Sequence, residues 1–273
     1  MILIRLLYLC IFAPTMSKKS TRPLILITND DGINAPGIKN LIEAASPFGD
    51  LVIVAPDSPQ SGMGHAITIT KPLRINQVKI YPGHQAYQCS GTPVDCVKLA
   101  VDKIMHRKPD ILLSGINHGS NSSINVLYSG TMSAAVEGAI EGIPSVGLSL
   151  LDYSYEADFS FSKEVVQWVI QRILKHGLTK GTLLNINIPK LPVDAIKGYK
   201  ICRQANAKWR ESFDERLDPT GRKYYWLKGD FNNFDKGKDT DEWALKNGYV
   251  SVVPVQFDLT AHQEIKKLQK WTN

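Results

Sequence analysis

Cysteine is scarce in this sequence and is not arranged as a metal or disulfide framework. The four cysteines are scattered and form no C-x-x-C pair; they are Cys10, Cys89, Cys96 and Cys202. Zinc sites and disulfide-bonded scaffolds need regularly spaced cysteines. We therefore expect reduced, mostly buried thiols in a cytosolic protein.

Long runs of one charge are absent as well. The 32 Lys and Arg residues exceed the 26 Asp and Glu residues by six, and they are dispersed along the chain. A basic balance suits an anionic substrate, but dispersed charge does not indicate a stable nucleic-acid partner. No internal repeat is present. No G-x-G-x-x-G follows the first predicted strand, which argues against a dinucleotide-binding dehydrogenase.

An apolar segment opens the chain at residues 1–15, MILIRLLYLCIFAPT. It is too short to span a bilayer, and no clear cleavage site follows it. Met16 and the two lysines after it resemble an ordinary cytosolic start. We interpret residues 1–22 as an N-terminal extension, disordered or produced by a mis-called start codon. Export is the alternative, and no membrane association is expected.

What is present is an alternation of apolar runs and helical periodicity. A strand at 24–27, a helix from Pro36 and a strand at 51–55 form a β-α-β unit, which implies a parallel sheet. Further strands are predicted at 110–114, 144–151 and 183–188. Helices are predicted to begin at Thr92, near Ser129 and at Ser162. Short strand-like pieces between residues 65 and 89 are interpreted as hairpin strands that project from the main sheet.

The character changes after residue 190, where polar and aromatic residues replace the β/α rhythm. Strands are predicted at 224–227 and 249–255, with a charged loop at 228–241 between them and a closing helix at 261–271. Exposed aromatic residues here suggest a hairpin that packs on the core or pairs with another subunit.

Three polar loops, 28–35, 56–64 and 114–121, follow presumed parallel strands. Such loops converge at one edge of an open α/β sheet, where ligands bind. Together they bring Asp30, Asp31, Ser61 and Asn117, whose hard oxygen atoms suit Mg²⁺, Mn²⁺ or Ca²⁺. Taken alone, the segment Asp-Asp-Gly indicates a solvated turn as strongly as it indicates a metal site.

A turn that enters a helix at Ser129 adds an argument for phosphate. Its backbone N–H groups and the positive end of the helix dipole attract anions, although a simple helix cap is the alternative. A metal beside such a turn suggests phosphate-ester hydrolysis by an activated water. One of Asp30 and Asp31 would anchor the metal and the other would orient or deprotonate the water. His65 and His118 are candidate acids for the leaving group.

Two other functions stay open at this point. An aspartyl-phosphate phosphatase is disfavoured, because that chemistry usually places two carboxylates one residue apart, whereas here they are adjacent. A nucleotide-binding regulatory module without turnover would share the β/α core.

The sequence resembles the SurE family, the survival-protein 5′/3′-nucleotidases. The matching segments are ILITNDDGINAPGI (25–38), VIVAPDSPQSGMGHAITI (52–69), CSGTPVDCVKLA (89–100), PDILLSGINHGSN (109–121), YSGTMSAAVEGAIEGIPSVGLSL (128–150) and GYVSVVPV (248–255). The resemblance implies a Rossmann-like three-layer α/β core with a mainly parallel sheet at 23–190. Residues 191–273 would form a projecting C-terminal β-hairpin and tail of the same domain, with the hairpin exchanged between subunits of a homodimer or homotetramer.

The resemblance also implies an activity and a ligand set. It implies a cytoplasmic, divalent-metal-dependent phosphatase for nucleoside 5′-monophosphates, with 3′-monophosphates as an alternative substrate and Mg²⁺ or Mn²⁺ as cofactor. The implied metal ligands are Asp30, Asp31, Ser61 and Asn117. Apart from the resemblance, the candidates for phosphate and substrate binding are Asn117, Gly119, Asn121, Ser129, Gly130 and Thr131. Many members carry a basic residue where this chain has Gln60. That departure lies beside the site and bears on substrate preference.

Overall fold

A computed structural model describes residues 22–272 of the chain. The extension predicted at residues 1–22 lies outside the described residues except for Arg22. The main sheet has nine strands in the order β3-β4-β2-β1-β5-β6-β7-β11-β8. Its strands are β1 (Leu24–Thr28), β2 (Asp50–Pro56), β3 (Ile75–Val78), β4 (Gln85–Cys89), β5 (Ile111–His118), β6 (Ser145–Leu150), β7 (Thr182–Ile188), β8 (Tyr199–Ile201) and β11 (Val250–Gln256).

The six strands from β4 to β7 in the sheet order run parallel to one another. Only the two margins contain antiparallel pairs, β3 with β4 and β11 with β7. The chain steps from β1 outward to β2 and β4, and then returns to the other side of β1 to form β5. The strand order therefore reverses between β1 and β5, and this is where an open α/β sheet has its ligand crevice.

Helices cover both faces of the sheet and make the fold three-layered. The helices are α1 (Pro36–Ala45), α2 (Pro93–Leu99), α3 (Gly130–Ile140), α4 (Ser160–His176), α5 (Asp241–Lys246) and α6 (His262–Leu268). Successive residues of β1 face opposite layers: Ile25 and Ile27 pack with α1 and α4, and Leu26 packs with α2 and α3. Because these strands are buried on both faces, they read as continuous apolar runs in the sequence.

The small residues of α3 allow the close packing that their composition predicts. A Cβ atom added to Gly138 would lie 2.3 Å from Ser145 Oγ and 2.7 Å from Leu112 Cδ1. The helix therefore lies directly on β5 and β6. Its N-terminus is brought to the same sheet edge at which β1 and β5 end.

The C-terminal part carries a separate two-stranded antiparallel hairpin, β9 (Ala207–Leu217) and β10 (Lys223–Asn233), joined by a turn at 218–222. Most residues of both strands are exposed, including Phe213, Leu217 and Trp226. The first residues of β9 pack beside the turn Ser123–Leu127 of the core, where Ser123 Oγ donates to the carbonyl of Ala205 at 2.8 Å.

Several predictions of local structure were wrong. β3 and β4 do not project: β4 pairs in parallel with β2 and extends the main sheet. The hairpin strand β10 runs to Asn233, so much of the predicted loop 228–241 is strand. The fourth helix begins at Ser160 rather than with Ser162 as its cap, because Asp158 accepts the Ser160 backbone N–H at 2.9 Å and Ser162 is buried inside the helix. Residues 65–69 form no strand.

None of the helices within residues 22–272 is both long and apolar enough to cross a membrane.

Asp241 fastens the base of the hairpin to the core. It is fully buried, and its carboxylate accepts backbone N–H groups from Ser123 at 2.8 Å, Ala205 at 2.9 Å and Glu242 at 2.8 Å. Asp241→Ala would leave the buried N–H groups of Ser123 and Ala205 without this partner, together with the part-buried N–H of Glu242. We expect the free energy of unfolding to fall by at least about 2 kcal/mol, because an unsatisfied buried donor costs about 1–3 kcal/mol. Urea unfolding followed by circular dichroism measures this loss.

The control for that variant is Asp230→Ala on the exposed hairpin strand β10. Exposed substitutions of this kind change stability by no more than about 0.5 kcal/mol. Equal effects of the two substitutions would contradict the anchoring role of Asp241.

Candidate metal centre and phosphate pocket

A polar pocket of about 230 Å³ lies at the reversal point between β1 and β5. We call it the central pocket. All four metal-ligand candidates line it, and so do four of the six phosphate candidates, Asn117 being in both sets. These residues are Asp30, Asp31, Ser61, Asn117, Gly119, Asn121 and Ser129. The prediction that the three loops would meet at one edge of the sheet is therefore confirmed.

Asp30 is held from the N-terminus of α3. Thr131 Oγ1 donates to Asp30 Oδ1 at 2.5 Å, and only 4% of Asp30 is exposed. Burial raises the pKa of Asp30 to about 6; the Thr131 hydroxyl opposes this shift, and the charge of Asp31 adds to it. An ionised Asp30 is thus unfavourable in the protein alone, and a bound cation would relieve that cost.

Asp31 has one oxygen atom without a partner. Its Oδ2 is buried and accepts no hydrogen bond from the described residues. Burial raises the pKa of Asp31, and the nearby His118 ring and the His118 backbone N–H partly offset the rise. A buried carboxylate oxygen without a donor is rare in folded proteins and calls for an explanation such as an ion.

The second loop is clamped onto the first through backbone hydrogen bonds. Gln60 N–H donates to the carbonyl of Asp30 at 2.7 Å, and Ile33 N–H donates to the carbonyl of Pro56 at 2.8 Å. Ser61 follows Gln60 directly, so these bonds bring Ser61 to the wall of the central pocket. Gly64 N–H donates to the carbonyl of Tyr128 at 3.2 Å and fastens the other end of the loop.

Asn117 was predicted in a loop, but it lies near the end of β5. After Ser114 the pairing with β6 shifts by one residue, so that Asn117 faces Ser149 across the ladder. Such a bulge re-aims side chains at the end of a strand. The amide nitrogen of Asn117 donates to the carbonyls of His118 at 3.2 Å and Gly119 at 3.0 Å. Its carbonyl oxygen Oδ1 makes no hydrogen bond with the described part of the chain and is available as a ligand.

These oxygen atoms form a set that fits a hard divalent cation. They comprise two carboxylates, one hydroxyl and one amide carbonyl, the donor types preferred by Mg²⁺, Mn²⁺ and Ca²⁺. Residues 22–272 contain no cluster of three or more His, Cys, Asp or Glu residues that could hold a metal. A cation at this edge would therefore depend on the mixed set, with the unpartnered Oδ2 of Asp31 as one ligand.

The turn that was predicted to bind phosphate is partly occupied by the protein itself. Ser129 caps α3, and its Oγ accepts the Met132 N–H at 3.0 Å. Thr131 is fully buried, and its hydroxyl is directed at Asp30 rather than into the pocket. Gly130 permits this approach, because a Cβ atom there would lie 2.7 Å from Asp30 Cβ. Within this turn, Ser129 is the residue that lines the central pocket.

Asn121 rests on an amide network beneath the pocket. Its side-chain nitrogen donates to Ser149 Oγ at 2.8 Å, and its backbone N–H donates to Asn187 Oδ1 at 2.8 Å. Asn185 donates to the Asn121 carbonyl at 2.8 Å and accepts from Asn187 at 2.9 Å. The network fixes Asn121 at the floor of the pocket.

The two candidate histidines have different surroundings. His118 lines the central pocket, and its Nδ1 bonds the carbonyl of Ser154 at 3.0 Å. Because a carbonyl only accepts, Nδ1 carries a proton and Nε2 is the nitrogen left to exchange one. His65 instead bonds Glu137 at 2.9 Å, a buried carboxylate that also pairs with Lys98 at 2.6 Å, and it does not line the pocket.

Sequence reasoning missed three aromatic residues of the pocket wall: Tyr128, Tyr153 and Trp209. Trp209 comes from the hairpin, and its indole N–H donates to Asn125 Oδ1 at 2.7 Å. Tyr153 lies in the polar loop after β6, at the same sheet edge as the other loops. That position was a usable signal for Tyr153, whereas the sequence held none for Trp209.

Comparison with known proteins identifies the family of this chain. A model described as survival protein SurE matches residues 25–211, more than half of the chain. The chain belongs to the SurE family. A 5′-nucleotidase SurE of Christiangramia forsetii is 62% identical over 259 residues, which are 94% of this chain and 99% of that relative. A 5′-nucleotidase SurE of Flavobacterium psychrophilum is 59% identical over 252 residues, 92% and 98% of the two chains.

The fold agrees with a solved member of the SurE family. The crystal structure of the SurE protein from Aquifex aeolicus superposes with a TM-score of 0.80 at 39% identity, and the match covers 92% of this chain and all of that one. The resemblance predicted from the sequence is confirmed. The predicted α/β fold with a mainly parallel sheet and a C-terminal hairpin is confirmed as well.

Proposed function

We propose that this protein hydrolyses nucleoside 5′-monophosphates to nucleoside and phosphate. The observation that carries the proposal is the central pocket, in which two adjacent carboxylates, a hydroxyl and amide groups converge at the reversal point of a parallel sheet. The names of the relatives, 5′-nucleotidase SurE, supply the substrate class. Activity on 3′-monophosphates is a further expectation of the family resemblance.

Asp30, Asp31, Ser61 and Asn117 would hold one divalent metal ion, Mg²⁺ or Mn²⁺, with Ca²⁺ as a further ion of suitable chemistry. When bound, the ion supplies Lewis acidity: it neutralises charge on the phosphate and makes water more acidic. Thr131 keeps the Asp30 carboxylate in one orientation through its 2.5 Å hydrogen bond. Asp31, with an oxygen free of donors, is the carboxylate that is able to take part in both metal binding and water orientation.

The remaining pocket residues would bind phosphate and move protons. Asn121, Gly119 and Ser129 line the pocket beside the carboxylates, and Gly130 opens the adjoining helix. His118 is the better placed acid for the leaving oxygen, because it lines the pocket with Nε2 free. His65 would act indirectly, by holding the loop that carries Ser61 against Glu137.

Several properties implied by the resemblance stay predictions. The exposed hairpin β9–β10 would pair with a second copy of the chain in a homodimer or homotetramer. A cytoplasmic location and the division into a core at 23–190 and a hairpin with tail at 191–273 are also predictions.

The test is phosphate release from purified protein. We expect release from nucleoside 5′-monophosphates with Mg²⁺ or Mn²⁺, and none with excess chelator. Nucleotide binding without phosphate release under any divalent metal would favour the regulatory module. A phosphoenzyme trapped by acid quench would favour the aspartyl-phosphate route.

A further inference from the structure

A second cavity adjoins the central pocket on the side of Asp31. It measures about 460 Å³, and we call it the side cavity. Its walls are the loop 31–36, Asp57, Pro59, His118, Tyr153 and Tyr155. Asp31, His118 and Tyr153 line both spaces. The two spaces are therefore contiguous, and one molecule could occupy both of them.

The sizes of the two spaces suit the two parts of a nucleotide. Cavities that hold small organic ligands measure roughly 300–1,000 Å³. The side cavity falls in that range, whereas the central pocket, at about 230 Å³, is smaller. The smaller space would accept the phosphate, and the larger one would accept the bulkier remainder of the substrate.

Charge points to the same division. The side cavity has two carboxylates in its wall, Asp31 and Asp57, and its lining contains no Lys or Arg from residues 22–272. Such a wall repels a second phosphate group and tolerates a neutral molecule. The nucleoside is the neutral part of a nucleoside monophosphate.

Tyr153 stands where the two spaces meet. Its ring lies against the backbone of Gly119, so closely that a Cβ atom there would be 2.2 Å from Tyr153 Cε1. The tyrosine is nevertheless 76% exposed, and Tyr155 is 82% exposed. The loop between them is fastened by the hydrogen bond from His118 Nδ1 to the carbonyl of Ser154. Exposed aromatic rings at the mouth of a cavity are stacking surfaces for a nucleobase.

Another cavity, of about 430 Å³, flanks the central pocket on the hairpin side and shares Gly62, Tyr128 and Trp209 with it. It offers a less suitable place for a base. The Trp209 indole N–H is already bound to Asn125, its ring packs against Phe231 at 5.4 Å, and this cavity shares no carboxylate or imidazole with the central pocket.

We propose that the side cavity binds the nucleoside moiety of the substrate, with Tyr153 as the stacking surface for the base. The inference rests on the proposed nucleotidase function and names the site that selects nucleotides over other phosphate esters.

The test compares AMP with ribose 5-phosphate, which has the same phosphate but no base. For Tyr153→Ala we expect KM for AMP to rise about 5- to 150-fold, because stacking on an aromatic side chain is worth about 1–3 kcal/mol per base. The KM for ribose 5-phosphate, which offers no base to the ring, should rise far less than the KM for AMP. Tyr153→Phe keeps the ring and should restore the KM for AMP.

A binding measurement separates this inference from the proposed function. Isothermal titration of adenosine into metal-free protein should detect binding that Tyr153→Ala weakens and Tyr153→Phe retains. Adenosine binding of this kind would support the side cavity even if the protein hydrolysed no phosphate ester. The absence of hydrolysis would overturn the proposed function and leave the side-cavity assignment in place. Equal losses for AMP and ribose 5-phosphate, or an AMP-specific loss in Trp209→Ala instead of Tyr153→Ala, would overturn the assignment of the side cavity.

Discussion

Asp30→Asn is expected to lower kcat/KM for nucleoside 5′-monophosphates by at least about 100-fold, since a metal's stabilisation of charge is worth several kcal/mol and each 1.36 kcal/mol is tenfold in rate. The substitution removes a negative charge from the proposed ligand set but keeps the side-chain shape. Asn Oδ1 can still accept the Thr131 hydroxyl that now bonds Asp30 at 2.5 Å. The measurement is steady-state phosphate release at saturating Mn²⁺.

The matched control is Asp194→Asn, the same substitution at an exposed residue in the turn Val193–Ala195. It should retain the full kcat/KM. Circular dichroism of both variants should match the unsubstituted protein. If folded Asp30→Asn kept full activity, Asp30 would not be a metal ligand, and the Asp-Asp-Gly segment would be an ordinary solvated turn.

The two carboxylates are distinguished by their surroundings. Asp30 is almost fully buried and is held by Thr131, whereas Asp31 is partly exposed and has a buried oxygen that accepts no hydrogen bond from residues 22–272. The two side chains also have different neighbours, Thr131 for Asp30 and His118 for Asp31, so the pair need not act as one unit. We interpret Asp30 as the fixed ligand and Asp31 as the one that also faces water and substrate.

The core strands could be predicted because burial leaves a direct mark on the sequence. β1 and β2 are covered by helices on both faces, and both appear as uninterrupted apolar runs within one or two residues of their observed bounds. The placement of β3 and β4 could not be predicted in this way. Whether a strand pair projects or extends the sheet depends on the free edge of β2, which local periodicity does not encode.

The candidate site was likewise predictable only in part. Asp30, Ser61 and Asn117 could be grouped because the carboxyl ends of parallel strands share one edge. The partners that orient the site could not be inferred. Thr131 reaches Asp30 across 101 positions of sequence, and Trp209 reaches Asn125 across 84. Such contacts depend on how helix α3 and the hairpin dock, and a turn motif read in isolation predicted a different orientation for Thr131.

The same substitution, Asp30→Asn, lowers activity but is expected to raise the stability of the metal-free protein. The pKa of Asp30 rises from 3.8 to about 6 in the folded state, chiefly through burial. The folded state therefore holds its proton more tightly than the unfolded chain does, so stability falls as the pH rises from about 4 to about 6. At about pH 7.5 the ionised Asp30 carboxylate lowers the free energy of unfolding by about 3 kcal/mol. Asn carries no charge, so metal-free Asp30→Asn should be more stable than the unsubstituted protein by about that amount. At about pH 4.5 the difference should shrink to about 1 kcal/mol.

Urea unfolding in excess chelator measures this difference, and Thr131→Val provides a contrast of opposite sign. Losing the hydroxyl that bonds Asp30 should destabilise the metal-free protein by about 1–2 kcal/mol. Mn²⁺ at about 100 times its Kd for the unsubstituted protein should then stabilise that protein by about 2.7 kcal/mol and stabilise Asp30→Asn much less, because the variant lacks one charged ligand. The cation would thus offset the cost of burying Asp30. If Asp30→Asn were instead less stable without metal, Asp30 would be a structural residue, and its burial beside Asp31 would need no cation.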